Sequence, residues 1–296
     1  MARVPKWLNP MSAAVLRSES DAARASAAKL APVRATAHVA LTCAQRSGAT
    51  RIADLAESGG YRMKFPKVED DCLEAVIINT GGGVAGGDRI RFDVTAHAGA
   101  KVTVASPAAE RVYRSLGPAT EIDIGLNAAD GAALHWLPQP TILFSGARLE
   151  RRISADISGN ASLLIAEMTA FGRVASGEKM GPGLLRDHWR IRRDGRLIFA
   201  ETTRLDGNMA ELLARPAVAG GAHVTGLLLW FDRNAEEARD CLRTGLADIP
   251  LIYGLSAWRG MLVMRVLSES LAPAQSCFER AIEVLTRSAA PRTWAN

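Results

Sequence analysis

A glycine-rich segment between Asn79 and Asp88 is the first feature of this sequence that could carry chemistry. It reads Asn-Thr-Gly-Gly-Gly-Val-Ala-Gly-Gly-Asp, and Gly81, Gly83 and Gly86 match the dinucleotide-binding pattern G-x-G-x-x-G. In a nucleotide-binding fold such glycines let the backbone approach a pyrophosphate, and the helix that follows holds the negative charge at its N-terminus. The element that follows the glycines therefore decides what this segment can bind.

The residues after Asp88 have the pattern of a strand and not of a helix. Ile90, Phe92 and Val94 alternate with polar residues, which is the period of a half-buried strand. Without a helix there is no row of free N–H groups to hold a phosphate. We therefore interpret the segment as a wide turn between two strands. A nucleotide-binding oxidoreductase that uses the Gly81–Gly87 loop is the alternative.

Other signatures of catalysis or metal binding are missing from the sequence. The histidines stand singly, without the spacing of a metal-binding pair: His38, His97, His135, His188 and His223. No G-x-S-x-G elbow marks a nucleophilic serine, and no Walker sequence indicates binding of ATP or GTP. The sequence therefore shows no dedicated metal cage and no local catalytic signature. A catalytic triad or a set of metal ligands can still be assembled from remote parts of the chain.

The composition is that of a folded and mildly basic protein. Of the 296 residues 48% are hydrophobic, and the net charge is +5. Basic residues are densest in two clusters: Arg148, Arg151 and Arg152, and then Arg186, Arg190, Arg192, Arg193 and Arg196. The second cluster alternates with apolar residues, which predicts the solvent-exposed face of a strand. A basic scaffold that binds nucleic acid is the competing interpretation, but no nucleic-acid-binding module is recognisable.

Cysteine usage and the length of the apolar runs favour a cytoplasmic protein. The cysteines are widely spaced and form no Cys-x-x-Cys pair, which is typical of reduced core thiols: Cys43, Cys72, Cys241 and Cys277. The apolar runs are too short to span a bilayer, and the first thirty residues lack the apolar region of a secretory signal. We predict no membrane contact.

From about residue 34 to residue 200, apolar and polar residues alternate in short runs separated by small-residue turns. The turns at Gly131, Gly146 and Gly159 lie 15 and 13 residues apart, which resembles a coil-by-coil repeat of strand and turn. Such spacing suggests a sandwich, a barrel or a β-helix, and the period alone does not choose among them. Asp194-Gly195 predicts a tight hairpin, because it supplies the positive φ angles of a type I′ turn.

Helices are expected only in the C-terminal third. Asn234 is the predicted N-cap of a helix that ends near Gly245, and Pro273 fits the first turn of a second helix. Because the helices are few, late and not alternated with strands, we predict a mainly β or α+β chain. We divide it into a flexible N-terminal tail at 1–33 and a single domain at 34–296.

Three further segments place arginine, glutamine or glutamate beside aromatic residues: Arg111–Ser115, Trp136–Phe144 and Phe171–Glu178. Such mixtures are typical of a recognition surface with aromatic and arginine anchors. They are equally typical of loops whose polar groups satisfy one another. The residue pattern alone leaves both interpretations open.

Together with the glycine-rich segment, these segments resemble the signature blocks of the urease accessory protein UreD (UreH) family, in its order and approximate spacing. The resemblance is strong from about Arg34 to Gly207 and looser beyond. The matching residues are Asn79, Thr80, Gly82, Gly86, Gly87, Asp88, Arg89, Tyr113, Arg114, Ser115, Trp136, Pro138, Gln139, Phe144, Gly172, Arg173, Gly177 and Glu178.

The resemblance implies a β-helical, mainly β fold of stacked strands with a few α-helices in the C-terminal third. It implies a protein that is not an enzyme and has no catalytic residues, no permanent cofactor and no fixed metal site. Such a protein would be a scaffold or chaperone that binds apo-urease and UreF, and through UreF the GTPase UreG. A dimeric assembly through UreF is expected. Nickel would be a transient passenger that moves through the interior of the protein toward the urease active site.

Asp88, Glu167 and Glu178 are our candidates for a polar nickel path, because they lie in or near the family blocks. A conduit favours scattered oxygen ligands over a tight cage, since the ion must leave as well as enter. The alternative is structural: Asp88 caps its turn and Glu178 pairs with Arg173.

Overall fold

The computed structural model of the chain describes residues 34–67, 71–173, 176–178 and 180–294, and the predicted tail at 1–33 lies outside them. Within the described residues the strands are β1 (Thr36–Arg46), β2 (Ala49–Ser58), β3 (Tyr61–Lys64), β4 (Leu73–Asn79), β5 (Arg89–Ala96), β6 (Lys101–Ala105), β7 (Glu110–Val112), β8 (Thr120–Ala128), β9 (Ala133–Leu137), β10 (Thr141–Leu143), β11 (Arg148–Ile157), β12 (Ser162–Phe171), β13 (Pro182–Arg193), β14 (Arg196–Asn208), β15 (Val224–Phe231), β16 (Ile252–Trp258) and β17 (Met261–Ser268). The helices are α1 (Met209–Ala214), α2 (Ala235–Gly245) and α3 (Leu271–Thr286), with a 3-10 turn at Arg292–Trp294.

The strands form two sheets, and the middle of the chain winds repeatedly from one to the other. The seven-stranded sheet has the order β14-β13-β11-β8-β5-β1-β2. The ten-stranded sheet has the order β16-β17-β15-β12-β9-β6-β4-β3, and the short strands β7 and β10 pair beside β12. Neighbouring strands from successive windings run parallel, as β5, β8, β11 and β13 do. The predicted mainly β fold of stacked strands, with helices late in the chain, is confirmed.

The turns at one end of these windings stack through backbone hydrogen bonds. Ala133 N donates to Ala100 O at 2.9 Å, and Ser162 N donates to Ala132 O at 2.8 Å. The stacked turns are those at Gly99, Gly131 and Gly159. The turn at Gly146 lies at the opposite end, where β11 begins. The spacing of 13 to 15 residues is therefore half a winding and not a whole one, because the chain turns at both ends of each winding.

The core between the two sheets comes from the apolar half of each alternating strand. In β5, Ile90, Phe92 and Val94 are buried while Arg89 and Arg91 are exposed. The predicted strand after the glycine-rich segment is therefore confirmed, and it stands where a nucleotide-binding fold needs a helix. Aromatic residues make up only 5% of the chain, so Val, Ile, Leu and Ala dominate this core.

A second core lies on the outer face of the ten-stranded sheet, where α2 and α3 pack. Phe278 and Ile282 of α3 are buried there. The first predicted helix is confirmed as α2, and Asn234 stands at its N-cap position as predicted. Asn234 has φ −96° and ψ 15°, and its side chain makes no capping hydrogen bond, since a side-chain cap usually requires extended backbone. No helix in the described part of the chain is long and apolar enough to cross a membrane.

Several local predictions can be compared with the structure. Asp194 and Gly195 have φ 50° and 75°, so the tight hairpin between β13 and β14 is confirmed. Arg190 is exposed on β13, as the alternation predicts. Cys43 and Cys277 are buried, but Cys241 is exposed on α2. The prediction of core thiols is therefore wrong for Cys241, which lies on the solvent-facing side of its helix.

Sheet and helix meet at Gly226 on β15 too closely for a side chain. An ideal Cβ there would lie 2.7 Å from two ring carbons of Phe278. We expect Gly226→Ala to push α3 away from the sheet and to lower the free energy of unfolding by about 1–3 kcal/mol. Urea unfolding followed by circular dichroism measures the loss.

The matched control is Gly254→Ala on the edge strand β16, where an added Cβ has no atom within 4 Å. We expect its free energy of unfolding to change by less than about 1 kcal/mol, because the substitution meets no neighbour. Equal losses at the two glycines would show that Gly226 is not a point of close packing.

Candidate functional site

Asp88, the first predicted path residue, is buried at the end of the glycine-rich turn. Its Oδ1 accepts from Ala35 N at 2.8 Å, and its Oδ2 accepts from Ala85 N at 2.7 Å. Both carboxylate oxygens therefore hold backbone in place, as the structural alternative expected. Asp88 lines neither of the two interior cavities described below.

The glycine-rich turn packs against the loop that follows β7. Tyr113 OH donates to Gly82 O at 3.0 Å, and Tyr113 N donates to Val84 O at 2.8 Å. An ideal Cβ at Gly86 would lie 2.0 Å from Ser115 Oγ and 2.6 Å from Pro118 O. The glycines therefore allow two protein segments to approach each other closely.

Two more of the predicted motif residues make contacts at either end of this segment. Thr80 donates to Gly60 O at 2.8 Å, and Arg89 pairs with Glu121 at 3.5 Å.

Family-block residues from three segments meet around one open depression, which we call the motif surface: Tyr113, Arg114, Ser115, Phe144, Arg173 and Glu178. Tyr113 meets Phe144 edge to face, with ring centroids 5.1 Å apart, and the Arg173 guanidinium lies 4.6 Å above the Phe144 ring. Arg173 also donates to Glu178 at 3.1 Å and 3.3 Å. The hydrogen bond from Arg173 lowers the pKa of Glu178. Glu178 is thus held by Arg173 at the outside of the protein.

The block from Trp136 to Phe144 divides between two places. Gln139 is buried beneath the C-terminal segment, where its Nε2 donates to Thr293 O at 2.8 Å and its Oε1 accepts from Gln275 at 3.0 Å. Here the polar groups satisfy one another, which was one of the two open interpretations. Phe144 lies in the motif surface. Trp136 and Pro138 line an interior cavity.

Glu167 lies inside the protein, in a group that we call the ion cluster: Arg151, Glu167 and Asp187. The three residues are only 3%, 4% and 8% exposed. Arg151 Nη1 donates to Glu167, while Nε and Nη2 donate to the two oxygens of Asp187 at 3.1 Å and 2.5 Å. Trp136 Nε1 donates to Glu167 Oε1 at 2.8 Å. Arg151 and Asp187 are register partners on β11 and β13, and Glu167 comes from β12 in the other sheet.

Two members of the ion cluster were missed from the sequence. Arg151 was counted in a basic cluster, and Asp187 was not singled out. The alternation contains the missing signal, because Arg151 is in phase with the buried Leu149 and Ile153 on β11. Asp187 is likewise in phase with the buried Trp189 on β13. A charged residue in the apolar phase of a strand predicts a buried ion pair or a functional group.

Two carboxylates share one guanidinium in this cluster. Burial raises the pKa of Glu167, although Arg151 and the Trp136 indole N–H oppose this change. Burial alone would lower the pKa of Arg151, but Asp187 and Glu167 outweigh it and raise that pKa, so the guanidinium stays charged. The cluster therefore sets two carboxylates against one guanidinium. A proton on Glu167, which its raised pKa favours, limits the cost of burying this charge.

The ion cluster separates two cavities inside the chain. One, of about 190 Å³, is lined by Asn79, Glu110 and Trp136 together with Arg151 and Glu167. The other, of about 230 Å³, is lined by all three cluster residues and by polar side chains from β12, β14 and β17: Thr169, Glu201, Thr203 and Arg265. Exposed Pro107 lies at the first cavity and half-exposed Arg265 at the second. Most side chains that line the first cavity are apolar, among them Ile77, Phe92 and Ile122. The two cavities share Arg151 and Glu167, whose ion pair lies between them.

Glu110 supplies a second carboxylate in the first cavity. Tyr61 OH donates to its Oε2 at 2.8 Å, and Asn79 Nδ2 donates to its Oε1 at 2.9 Å. Burial raises the pKa of Glu110, while the hydrogen bonds from Tyr61 and Asn79 oppose the increase. Asn79 opens the glycine-rich family block, so this block has an interior role as well as a role in the turn.

Among the described residues no group of three or more His, Cys, Asp or Glu side chains is placed to hold a metal ion. The charged interior residues are instead spread over the two cavities and the cluster between them. Fold and site together define a class: a solenoid-like β protein with a buried ion cluster between two cavities and a surface built from aromatic and arginine side chains.

A family model described as UreD urease accessory protein matches residues 35–295. The UreD protein of Xanthobacter autotrophicus is 45% identical over 286 residues, which is 96% of this chain and 99% of the relative. The UreD protein of Rhodopseudomonas palustris strain BisA53 is 42% identical over 276 residues, or 93% and 96% of the two chains. A third, from Methylobacterium sp. strain 4-46, is 44% identical over 252 residues, or 83% and 89%. The chain belongs to the UreD family of urease accessory proteins.

Proposed function

We propose that this urease accessory protein is a non-catalytic scaffold that binds apo-urease and the UreF–UreG complex and passes nickel toward the urease active site. The relatives are named urease accessory proteins, which supports a helper role in urease maturation. GTP hydrolysis would belong to UreG, and the assembly would be dimeric through UreF in the cytoplasm. Nickel is a passenger in this proposal and not a resident cofactor.

The observation that carries the nickel part of the proposal is the ion cluster between two cavities. Glu167 faces both cavities, whereas Asp88 and Glu178 are held by backbone N–H groups and by Arg173. A divalent cation that passes through the interior needs oxygen ligands that are weak enough to release it. Of the three path candidates we therefore retain Glu167 and set aside Asp88 and Glu178, and we add Glu110 and Asp187.

The motif surface supports the protein-binding part of the proposal. Aromatic and arginine side chains dominate the strongest contacts of protein interfaces. Arg114 and Arg173 are exposed, and Leu116 in the adjoining loop is 90% exposed. An apolar side chain exposed to this degree, two residues from Arg114 in the sequence, fits a surface that is covered by a partner.

Co-expression of the chain with its cognate UreF, UreG and apo-urease tests the proposal. We expect the four proteins to be recovered together, and urease activation at a fixed nickel concentration to depend on this chain. If the chain captures none of them and activation proceeds without it, the scaffold proposal is wrong.

A further inference from the structure

Strand β16 forms one end of the ten-stranded sheet, and its neighbour on one side is β17. Among the described strands none pairs with its other side, so its outward N–H and C=O groups can accept a further strand. Its sequence is Ile-Tyr-Gly-Leu-Ser-Ala-Trp, with no charged residue and no proline. The strands at the other ends of the two sheets, β2, β3 and β14, all carry charged residues, which oppose pairing with another chain. Of these end strands β16 is therefore the one without protection.

One face of β16 is exposed as well as its edge. Ile252, Gly254, Ser256 and Trp258 lie on this face, and Ile252 is 70% and Trp258 45% exposed. The residues that alternate with them pack against the second core. Large apolar side chains exposed at both ends of an uncharged end strand indicate a surface that another strand covers.

The strand is complementary to itself when two copies pair antiparallel over its full length. Leu255, the central residue of the seven, then lies opposite Leu255 of the second copy. Ile252 of each copy lies opposite Trp258 of the other, which is a favourable pair of a β-branched and an aromatic side chain. The remaining pairs join uncharged residues, among them Gly254 and Ser256. This register therefore covers both exposed apolar side chains and brings no like charges together within the strands.

Helix α2 adds charge complementarity to this pairing. Its acidic first turn lies near the Trp258 end of β16, because Glu236 Oε1 accepts from Gly260 N in the turn after that strand at 3.2 Å. Its last turn contains the exposed Arg243, and a short loop connects it to the Ile252 end of β16. Antiparallel pairing sets the Trp258 end of one copy beside the Ile252 end of the other. The acidic first turn of each α2 therefore comes beside the basic last turn of the α2 in the second copy.

We propose that the free edge of β16 is a homodimerisation surface, at which two copies of this chain pair their β16 strands antiparallel about a two-fold axis beside Leu255. The ten-stranded sheets of the two copies then join into one continuous sheet. The contact is isologous, because each copy contributes the same strand. It forms directly between copies of this chain, so it differs from the dimer through UreF in the proposed function and does not depend on that function.

Paired charge variants of the purified full-length chain test this contact by sedimentation velocity. The wild type should sediment as a dimer, and the chain with Gly254→Lys and Ser256→Lys as a monomer, because its lysines would lie directly opposite one another. The chain with Gly254→Glu and Ser256→Glu should be monomeric for the same reason. An equimolar mixture of the two variants should recover the dimer, since each lysine then lies opposite a glutamate. Both positions are exposed, and an added Cβ at Gly254 meets no atom within 4 Å, so the fold should be kept.

The matched control adds two lysines to the end strand of the other sheet. Ala53→Lys with Ala56→Lys changes exposed residues of β2, and this chain should remain dimeric. The register is tested by disulfide formation with oxidised glutathione in a Cys241→Ser background, which removes the exposed cysteine of α2. Leu255→Cys should give a disulfide-linked dimer, because residue 255 pairs with itself. Ser256→Cys should not, because it lies opposite Gly254 and diagonal to its own copy.

Two sets of results would overturn the homodimer. A wild-type chain that sediments as a monomer excludes it, whatever other protein covers β16. A dimer that persists in both charge variants shows that the copies meet at another surface. A mixture of the two charge variants that stays monomeric, or Leu255→Cys chains that form no disulfide, shows that the β16 strands do not pair in this register.

Discussion

Glu167→Gln is expected to lower nickel-dependent urease activation by roughly tenfold or more, since a contact to a charged group contributes about 1.5–3 kcal/mol. Glutamine keeps the shape and can still accept a hydrogen bond from Trp136, but it removes the carboxylate charge between the two cavities. The remaining Arg151–Asp187 pair is neutral. The free energy of unfolding should therefore be retained, because Arg151 keeps both of its hydrogen bonds to Asp187.

Activation is measured with purified assembled complexes at a fixed nickel concentration, so that loss of assembly is not mistaken for loss of transfer. Glu150→Gln is the matched control, because Glu150 lies on the outer face of β11 and pairs with Arg152 and Arg186. We expect Glu150→Gln to activate urease as the wild type does. Full activation by Glu167→Gln would mean that Glu167 takes no part in nickel transfer.

Gly86→Ala is expected to disrupt the loop between Tyr113 and Pro118. The added Cβ would lie 2.0 Å from Ser115 Oγ and 2.5 Å from Ser115 Cβ, so a simple rotation of the serine side chain cannot relieve the contact. We expect a loss of about 1–3 kcal/mol in the free energy of unfolding, from overpacking against this loop. Because Tyr113 and Ser115 belong to the motif surface, recovery of partner proteins in the pull-down should fall as well.

The control lies in the same loop. An added Cβ at Gly117 meets no atom within 4 Å, so Gly117→Ala should leave both stability and partner recovery unchanged. Denaturant unfolding and the co-expression pull-down are run on both variants. If Gly86→Ala is as stable as Gly117→Ala and retains its partners, the glycine is not required for close approach of the two segments.

The strand framework was readable from the sequence because burial alternates with period two. The strand after Asp88 and the hairpin at Asp194-Gly195 follow directly from that period and from turn chemistry. The length of one winding was not readable, because turns at both ends use the same small residues. The structure shows that the turns at Gly99 and Gly131 stack at one end of the windings and that Gly146 lies at the other end. The spacing from Gly131 to Gly146 is therefore half a winding.

The site was predicted only in part, for a different reason. Glu167 was identified through its nearness to a family block, but its partners lie on other strands, at Arg151 and Asp187. Such pairing depends on which strands become neighbours, and no local pattern encodes that. Asp88 and Glu178 were chosen by the same criterion, but their carboxylates hold a turn and a loop in place through backbone N–H groups. Nearness to a family block therefore does not distinguish path residues from structural ones.

The most direct test of the central claim is to obstruct the interior while leaving the outside unchanged. Thr169 is buried and lines the second cavity beside Glu167, and Thr169→Phe would place a ring in that space of about 230 Å³. Ser154→Phe, on the exposed face of β11, adds the same ring outside and is the control.

The measurement is the amount of nickel incorporated into apo-urease by preassembled complexes with UreF and UreG. Our account predicts that both variants assemble and that only Thr169→Phe reduces incorporation to the level found without the chain. Normal incorporation by an assembled, folded Thr169→Phe complex would contradict an interior route for nickel.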